Sequence, residues 1–516
     1  MQRNDPKGTL VLLNNDNADN YFDFWLATYQ HPKVNGFFFK PHDMAAELMR
    51  DIYNSFIKNT NVRFFIYVDE NKKPIGTCRI TFFEGIRSHV AMINAVAINP
   101  DIHSRGYGTA MLNEVKNLIQ TEYPDIKQIE LAYEGDNKAG RRLYEEKLGF
   151  HPKISYEDWW FRYDLKEAYP WYTEERCCVN YLNQTPDTNK PKSTYDQPNL
   201  ATPSLLPESF SIAEIQPSHF EQEIKAIADT YKKSEASLMQ HILLQPNQTV
   251  YALKKDSTIV ALLCFKPYEN EPRLTNAVTM PFVAYKNGEE EKNISSFINQ
   301  AMQLYKQSHS EVFHFACAEE DTTENWYADK HSKIESLNRS LQNAGFRFAG
   351  EFENYFNDQS ESGKNLLAYE CCFLGLKAAS QCLDVSKLAS EEKNSLKDLL
   401  NQFSTITLAH REEYEIYRMV RYVAYPQDYN TKEIAEKLLQ SHRLLQSGPH
   451  FVQIQSLLSQ LRNTLWTITN GTYASKADQI VASLFNNESK NSLKPTMIFN
   501  AEKHSRTETL PAQIFK

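Results

Sequence analysis

The sequence predicts an α/β (α+β) chain built from several folding units. Short apolar runs separated by turn residues come first, helical and extended patterns then alternate, and the extended patterns disappear after about Ala378. At 516 residues the chain is also longer than one hydrophobic core usually organises. We therefore expect a mixed sheet with helices first and a purely helical part near the end.

The first unit is predicted to begin with strands and to continue with alternating helices and strands. Its strands are apolar runs bounded by turn or charged residues, and its helices carry apolar residues at helical spacing. The expected elements are strands at Arg63–Val68, Pro74–Phe83 and Ala91–Ile98, a helix at Gly108–Thr121, a strand at Gln128–Ala132, a helix at Asn137–Lys147 and a closing strand at Trp159–Leu165.

A second segment, Phe210 to Leu376, repeats this order less clearly and reads as a diverged internal duplicate. Beyond Ala378 several stripes of leucine and isoleucine at helical spacing predict helices. The predicted division is a first domain at 1–170, a Pro-, Asn- and Thr-rich linker at 171–207, a second domain at 208–377, a helical domain at 378–487 and a flexible tail at 488–516.

Composition narrows the class of protein. Hydrophobic residues make up 41% and charged residues 23% of the chain, which is typical of a globular protein. The net charge of -9 gives no reason to expect a nucleic-acid partner, and no apolar run is long enough for a membrane span. The eight cysteines include two adjacent pairs but no CxxC spacing. We therefore expect reduced thiols, no bound metal and a cytoplasmic location.

The window most informative about function is INPDIHSRGYGTA, Ile98 to Ala110, between an apolar strand and an amphipathic helix. Gly106 and Gly108 permit a tight turn and close backbone approach. Free amides at the start of the following helix, together with the helix dipole, suit a pyrophosphate. An ordinary glycine-containing turn between strand and helix is the alternative interpretation of these residues alone.

Two ordered motifs resemble the GNAT superfamily of N-acetyltransferases. The run from His103 to Gly108 resembles its motif A, which reads Gln or Arg, two residues, Gly, one residue, then Gly or Ala; His103 departs from the first position. DNKAGRRLYEEKLGF, Asp136 to Phe150, resembles motif B. The resemblance covers about Leu10 to Leu165 and implies a GNAT fold with a central mixed, twisted sheet.

The resemblance also implies acetyl-CoA as cosubstrate and an amine-bearing acceptor, either a small molecule or a protein. One strand would bond along the pantetheine arm, the glycine loop would bind the pyrophosphate, and an asparagine would contact the arm from the other side. The residues that match these roles are Val96, Ala97 and Ile98 on the strand, His103, Ser104, Arg105, Gly106, Tyr107, Gly108 and Thr109 in the loop, and Asn137.

For the chemistry, Tyr144 matches the tyrosine that protonates the departing thiolate in many members of the family. A base is also needed, because an alkylammonium ion cannot attack. Glu84 and Glu134 are the candidates, with solvated surface carboxylates and a water relay as the alternatives. The region Tyr21 to Asn59 carries Trp25, Tyr29 and Phe37 to Phe39, which either line an acceptor pocket or pack in the core.

The second domain lacks these features. Its motif A position holds Gly288 followed by three glutamates, and Ser340 stands where the first copy has Tyr144. We therefore interpret it as a degenerate GNAT-like domain with a structural or acceptor-binding role.

A rival interpretation is a non-catalytic acyl-CoA-binding interaction protein, since about two thirds of the chain carries no recognisable chemistry. The helical domain would then bind a protein partner. The polar C-terminal tail and the Asn- and Lys-rich composition would suit a translocated effector of an intracellular bacterium.

Overall fold

The computed structural model describes residues 8–35, 45–162, 171–182, 205–228, 248–268, 274, 276–286, 288–321, 330–356, 364–374, 390–424 and 431–473. Strands dominate up to residue 372, and only helices follow in the described part of the chain. The α/β prediction is confirmed. The strands are β1 Gly8–Leu12, β2 Val62–Asp69, β3 Pro74–Phe82, β4 Val90–Ile98, β5 Gln128–Glu134, β6 His151–Arg162, β7 Trp171–Tyr181, β8 Phe210–Ile215, β9 Thr249–Lys255, β10 Thr258–Pro267, β11 Ala277–Tyr285, β12 His314–Asp321, β13 Arg347–Phe356 and β14 Lys364–Cys372.

The helices divide into those that flank the sheet and four that follow it. A single π-helical turn, Arg142–Lys147, continues the fifth helix. The helices are α1 Phe22–Gln30, α2 Pro32–Asn35, α3 Ala46–Lys58, α4 Tyr107–Glu122, α5 Lys138–Arg141, α6 Glu221–Ala228, α7 Glu291–Ser308, α8 Lys330–Asn343, α9 Ser390–Ser404, α10 His410–Ala424, α11 Thr431–Gln446 and α12 Phe451–Tyr473.

All fourteen strands form one continuous mixed sheet with two halves of identical strand order. The order is β1-β2-β3-β4-β5-β7-β6 and then β13-β14-β12-β11-β10-β9-β8, so that the second half mirrors the first. In each half the fourth and fifth strands, β4 with β5 and β11 with β12, are parallel. The adjacent cysteine pairs lie on equivalent strands, Cys177–Cys178 on β7 and Cys371–Cys372 on β14.

Both faces of the first half are covered. On one face α4 buries Met111, Leu112 and Val115 against β3 to β5, because these residues recur at helical spacing. On the other face α1 and α3 pack Trp25 and Tyr53 against β2. A hairpin turn at Asp69–Lys73 joins β2 to β3, and the Asp69 carboxylate accepts the turn amides of Asn71 and Lys73 at 2.9 Å.

The strand β7 falls inside the segment 171–207 that the sequence analysis assigned to a linker, and that assignment is wrong for Trp171–Tyr181. The strand inserts between β5 and β6 and pairs with both. After its first two residues the strand reads TEERCCVN. It looks polar because the sequence shows the charged residues but not how they pair in the fold. In the fold Arg176 pairs with Glu174 at 3.2 Å and with Glu145 at 3.3 Å.

The two halves meet where β6 runs beside β13. The backbone ladder between these strands is short, and in the described structure it consists of one residue pair, Ile154 with Gly350. Around it Val179, Phe352 and Ala368 form a shared apolar cluster. A β-carbon on Gly350 would lie 1.9 Å from the carbonyl oxygen of Lys153, so glycine is required for this close approach.

A bulge in β6, between Tyr156 and Trp160, reaches both the second half and the helices. We name its two acidic residues and their partners the β6 cluster. Glu157 contacts Arg418 of α10 at 2.7 Å and Lys437 of α11 at 2.6 Å. Asp158, in a strained backbone conformation with φ of 53°, contacts Arg421 at 2.5 Å.

The helices α9 to α12 surround their own core, which includes Leu396, Phe403, Tyr417 and Leu458. They lie within the predicted helical domain 378–487, whereas residues 474–516, including the expected tail, are outside the described residues. This core also contains Phe313 and Cys372, so the helices pack directly on the second half of the sheet.

Candidate active site

The first half has a gap between β4 and β5. These parallel strands pair at three positions, from Val90 with Gln128 to Met92 with Glu130. Both strands continue, β4 to Ile98 and β5 to Glu134, without further described pairing between them. In an intact ladder the facing amides and carbonyls would bond to each other. The gap therefore offers backbone groups to an extended ligand.

A β-bulge shapes the β4 side of this gap. Arg79 lies opposite Asn94 but Thr77 lies opposite Ala97, so β4 carries one extra residue. Ala95 has a φ of 49°, which is unfavourable for a residue other than glycine. The Tyr29 hydroxyl donates to the Ala95 carbonyl at 2.5 Å and holds this conformation. Tyr29 was expected in a pocket or in the core, and nothing in the sequence pointed to this bond.

The glycine loop lies at the end of β4. Gly106 adopts a φ of 92°, and α4 begins at the next residue, Tyr107. No side chain caps the N-terminus of α4, so its first amides have no side-chain acceptor in the described structure. The segment His103–Gly106 is exposed, and Tyr107 to Thr109 are half-buried. These amides and the helix dipole form a site that fits an anion.

His103, the residue that departs from motif A, turns back towards the strand. Its Nε2 atom lies 2.8 Å from the carbonyl oxygen of Ile98. Because a carbonyl can only accept, Nε2 is the nitrogen that carries the hydrogen in this contact. The His103 side chain therefore ties the loop to the end of β4, and the loop amides remain available.

Gly108 allows α4 to approach the π-helical turn closely. A β-carbon there would lie 3.3 Å from Leu143 and 3.6 Å from Ile98. Asn137 lies at the start of α5, where its side-chain oxygen accepts the Gly140 amide at 2.8 Å. The side chain of Asn137 thus caps a helix, and it is half-buried beside the end of β5.

Tyr144 is buried in the π-helical turn, a distortion that is frequent at functional sites. Its ring packs 5.4 Å from that of Tyr133. Its hydroxyl has no hydrogen-bond partner among the described residues. Burial raises the pKa of Tyr144, and the neighbouring thiols Cys178 and Cys78 add to the increase. The phenol is therefore neutral and holds its proton at physiological pH.

The negative charge of Glu145, next to Tyr144, is neutralised by residues that the sequence did not single out. The Glu145 carboxylate accepts the Tyr133 hydroxyl and contacts Arg176 at 3.3 Å. Arg141, one helical turn earlier, is a local partner of Glu145 at 3.8 Å. Tyr133 and Arg176 come from β5 and β7, so no local pattern could reveal those two contacts.

The two candidate bases occupy different environments. Glu84 is exposed beyond the end of β3. Glu134 is 5% exposed at the end of β5, opposite Glu175 of β7. The roles of both residues stay predictions.

The aromatic residues of the expected acceptor region lie in different places. Trp25 and Tyr29 are buried in the core beneath α1 and α3, and Phe37 to Phe39 lie outside the described residues. Trp159 and Trp160 pack in the cluster that joins β6 to the second half. The β6 bulge directs these tryptophans to the junction.

The second half has a similar gap, because β11 and β12 pair only from Ala277 with His314 to Met280 with Cys317 and both strands continue. The start of the following helix differs from that of the first half. Gly288 again has a positive φ, 88°, before α7. Here Glu291 stands in the first turn of α7, and its carboxylate bonds to Arg339 at 3.0 Å. Ser340, the counterpart of Tyr144, is buried and donates to the Glu291 carbonyl at 3.4 Å. No side chain caps this helix, but Glu291 places a carboxylate in its first turn, and a negative charge there would repel a pyrophosphate.

Among the described residues no group of three or more His, Cys, Asp and Glu side chains is arranged to hold a metal ion. No helix in the described ranges has the length and apolarity needed to cross a membrane.

Comparison with known proteins finds similarity within the first half. Residues 25–150 match the family model described as "Acetyltransferase (GNAT) family". An uncharacterized N-acetyltransferase of Methanocaldococcus jannaschii is 25% identical over 154 residues, which cover 29% of this chain and 64% of that protein. The match thus spans somewhat less than two thirds of that relative's length.

Two solved structures are similar to 34% of this chain. One is a spermidine N-acetyltransferase of Vibrio cholerae in complex with CoA and spermine, at 18% identity and a TM-score of 0.29 with 95% of that chain covered. The other is a GNAT-family acetyltransferase of Streptococcus pneumoniae, at 18% identity and a TM-score of 0.28 with 99% of that chain covered.

Proposed function

Because residues 25–150 form a domain of the GNAT family of acetyltransferases, we propose that this protein transfers an acetyl group from acetyl-CoA to an amine. The observation that carries the proposal is the gap between β4 and β5, followed directly by the uncapped N-terminus of α4. A long, thin ligand with an anionic end fits this combination.

In this proposal the backbone of Val96 to Ile98 bonds along the pantetheine arm like an added strand. The amides from His103 to Thr109 bind the pyrophosphate. Asn137 contacts the arm from the β5 side, with its amide nitrogen rather than the oxygen that caps α5.

The neutral amine attacks the thioester carbonyl, a carbon–nitrogen bond forms, and the carbon–sulfur bond breaks. Tyr144 then gives its proton to the departing thiolate, because the buried phenol is neutral. The proton lost by the amine passes to a base. Glu84 and Glu134 are the candidates, and Glu134 is the buried one at the end of the gap.

We also propose that the second half is a degenerate copy of the first. The identical strand order supports a duplication, and the Glu291–Arg339 pair at the start of α7 argues against a second pyrophosphate site. Its contacts with β6 favour a structural role.

The test is calorimetric titration of acetyl-CoA into the full chain and two matched variants. Gly106→Val places a branched side chain at a φ of 92° in the loop, and Gly288→Val does the same at a φ of 88° in the second half. We expect one site per chain in the natural protein, at least tenfold weaker binding in Gly106→Val, and unchanged affinity in Gly288→Val.

Equal loss of affinity in both variants would show that strain, and not the loop, explains the effect. No binding by the natural protein would remove the proposed cofactor site. Binding without release of CoA thiol, with any amine present, would favour the non-catalytic interaction protein.

A further inference from the structure

An arginine on β3, Arg79, lies beside the β4 bulge that borders the gap. Its neighbours Cys78 and Ile80 point into the core beneath α4, so Arg79 points to the opposite face. There its guanidinium carbon lies 4.1 Å from the centre of the Phe56 ring on α3. On the adjacent strand Arg79 faces Asn94, the residue before the bulge.

This arginine has no carboxylate partner among the described residues. Its Nε atom is buried and makes no hydrogen bond, whereas the side chain as a whole is half-buried. Several other arginines of the first half pair with carboxylates, for example Arg87 with Glu130 at 2.7 Å and Arg176 with Glu174 at 3.2 Å. Burial lowers the pKa of Arg79, and Tyr29 is the one group that opposes this shift.

An unpaired guanidinium in a partly buried place is costly unless a ligand pairs with it. Arg79 lies on the α1 and α3 side of the sheet, whereas α4 and its anion-binding loop lie on the other. The cosubstrate's phosphates therefore cannot be its partner if they occupy the α4 loop. If the cosubstrate occupies the gap and the α4 loop, the face of the sheet that carries Arg79 is the one left for an acceptor.

We infer that the acceptor carries a carboxylate close to its reactive amine, as amino acids and short peptides do, and that Arg79 binds this carboxylate. The inference rests on the proposed acetyl transfer and specifies its substrate class. The planar guanidinium offers paired N–H donors that match a carboxylate. The same charge repels a second ammonium group, so polyamines are disfavoured acceptors.

The experiment compares matched acceptors that differ only at the carboxylate. CoA thiol release is measured with the proteinogenic L-amino acids and short dipeptides, and with the carboxamide of each. The natural protein, Arg79→Met, Arg79→Lys and the control Arg63→Met are assayed in parallel. Arg63 is an arginine of β2 whose guanidinium bonds the Thr60 carbonyl at 2.8 Å.

In the natural protein and in Arg63→Met we expect kcat/KM at least tenfold higher for one or more carboxylates than for the matched carboxamides. Arg79→Met should reduce this ratio to about one through a higher KM, and Arg79→Lys should restore part of it. The affinity for acetyl-CoA should stay the same in all variants.

A ratio near one in the natural protein would overturn the inference, and so would an equal loss with both acceptor types in Arg79→Met, which is the result of a structural role. Release of thiol with polyamines but with no carboxylate acceptor would also overturn it and leave the proposed acetyl transfer intact. Absence of acetyl-CoA binding, in contrast, would be the failure of the proposed function itself.

Discussion

Tyr144 shows how the setting of one residue fixes its chemical state. The ring is buried in the π-helical turn beside Tyr133, and burial raises the pKa of its phenol. A phenol in this state is a proton donor and is not charged at neutral pH. The raised pKa also makes this phenol a weaker acid than a free tyrosine, so the packing of the turn keeps the proton on Tyr144 and opposes its release.

Replacing Tyr144 by Phe should lower kcat by about 100-fold or more, because general acid catalysis contributes a factor of this size. The dissociation constant for acetyl-CoA should change little, since the hydroxyl makes no described hydrogen bond. Steady-state rates and calorimetry measure the two quantities. Tyr67→Phe, at a buried tyrosine of the same core, is the control. Equal rates in Tyr144→Phe and the natural protein would assign the proton transfer to another group.

The sequence was most informative about single residues where a motif determines the backbone conformation. The loop from His103 to Gly108 has the positive φ at Gly106 and the free helix start that the glycines predicted. It was least informative about Tyr29, whose hydroxyl reaches Ala95 across 66 residues of sequence. It also missed the return of His103 to Ile98. Such contacts depend on tertiary distances that one sequence does not contain.

At the scale of elements, the strands were predicted when they were apolar and missed when their charges were paired. The strands β2 and β3 were predicted correctly. The strand β7 was placed in a linker because Glu174 and Arg176 look like surface residues when their pairing is not known. The strand β13 was not predicted either. The junction of the halves therefore could not be foreseen, since both of its strands had to be recognised first.

Gly350→Ala should destabilise the junction of β6 and β13 more than any effect on local backbone entropy explains. The new β-carbon would lie 1.9 Å from the Lys153 carbonyl oxygen, and the φ of 143° suits only glycine. We expect a loss of about 2–4 kcal/mol in the free energy of unfolding. Thermal and denaturant unfolding measure it. Gly288→Ala is the control, because its β-carbon would meet nothing within 4 Å. The same transition midpoint in both variants would contradict the packing of these strands.

At the scale of the whole molecule, the β6 cluster joins three parts of the chain. Burial alone would raise the pKa of Glu157, but the charges of Arg418, Lys437 and Arg347 outweigh it and hold that pKa well below its usual range. Arg347 likewise lowers the pKa of Glu370 in spite of burial. For Asp158, burial outweighs Arg421, and its pKa is raised.

Stability should fall as the pH drops below the ordinary glutamate value of 4.5. A carboxylate with a lowered pKa in the folded state stabilises above its unfolded pKa, and this contribution is lost as the pH falls towards the folded pKa. Asp158 acts in the opposite direction but is one group against Glu157, Glu370 and Glu415. Thermal unfolding between pH 7 and pH 3.5 measures the effect.

Glu157→Gln tests the origin of this pH dependence. It leaves Arg418 and Lys437 without their shared partner and should cost about 3–5 kcal/mol at pH 7. The slope of stability against pH below 4.5 should also become shallower. Glu84→Gln, at an exposed carboxylate, should change neither quantity. An unchanged slope in Glu157→Gln would assign the acid sensitivity to other carboxylates.

Residues 1–182 expressed alone should form a poorly soluble or partly folded product. The fragment contains the complete candidate active site, but Trp159 would lose its contacts with Ala277 and Ala316. Glu157 and Asp158 would lose every cation named above. Gel filtration and circular dichroism, compared with the full chain, measure the outcome. A monomeric fragment with the stability of the full chain would show that the first half does not depend on the rest.

The β6 cluster also has a consequence for biosynthesis. The strand that carries Glu157 and Asp158 leaves the ribosome about 280 residues before Lys437, the last of their partners. At typical rates of translation this delay is on the order of tens of seconds. Until Arg347 and then the arginines of α10 are made, the two carboxylates lack the cations that neutralise them in the fold. Completion of the first half thus waits until most of the chain has been made, and chaperones have a defined surface to protect until the helices are present.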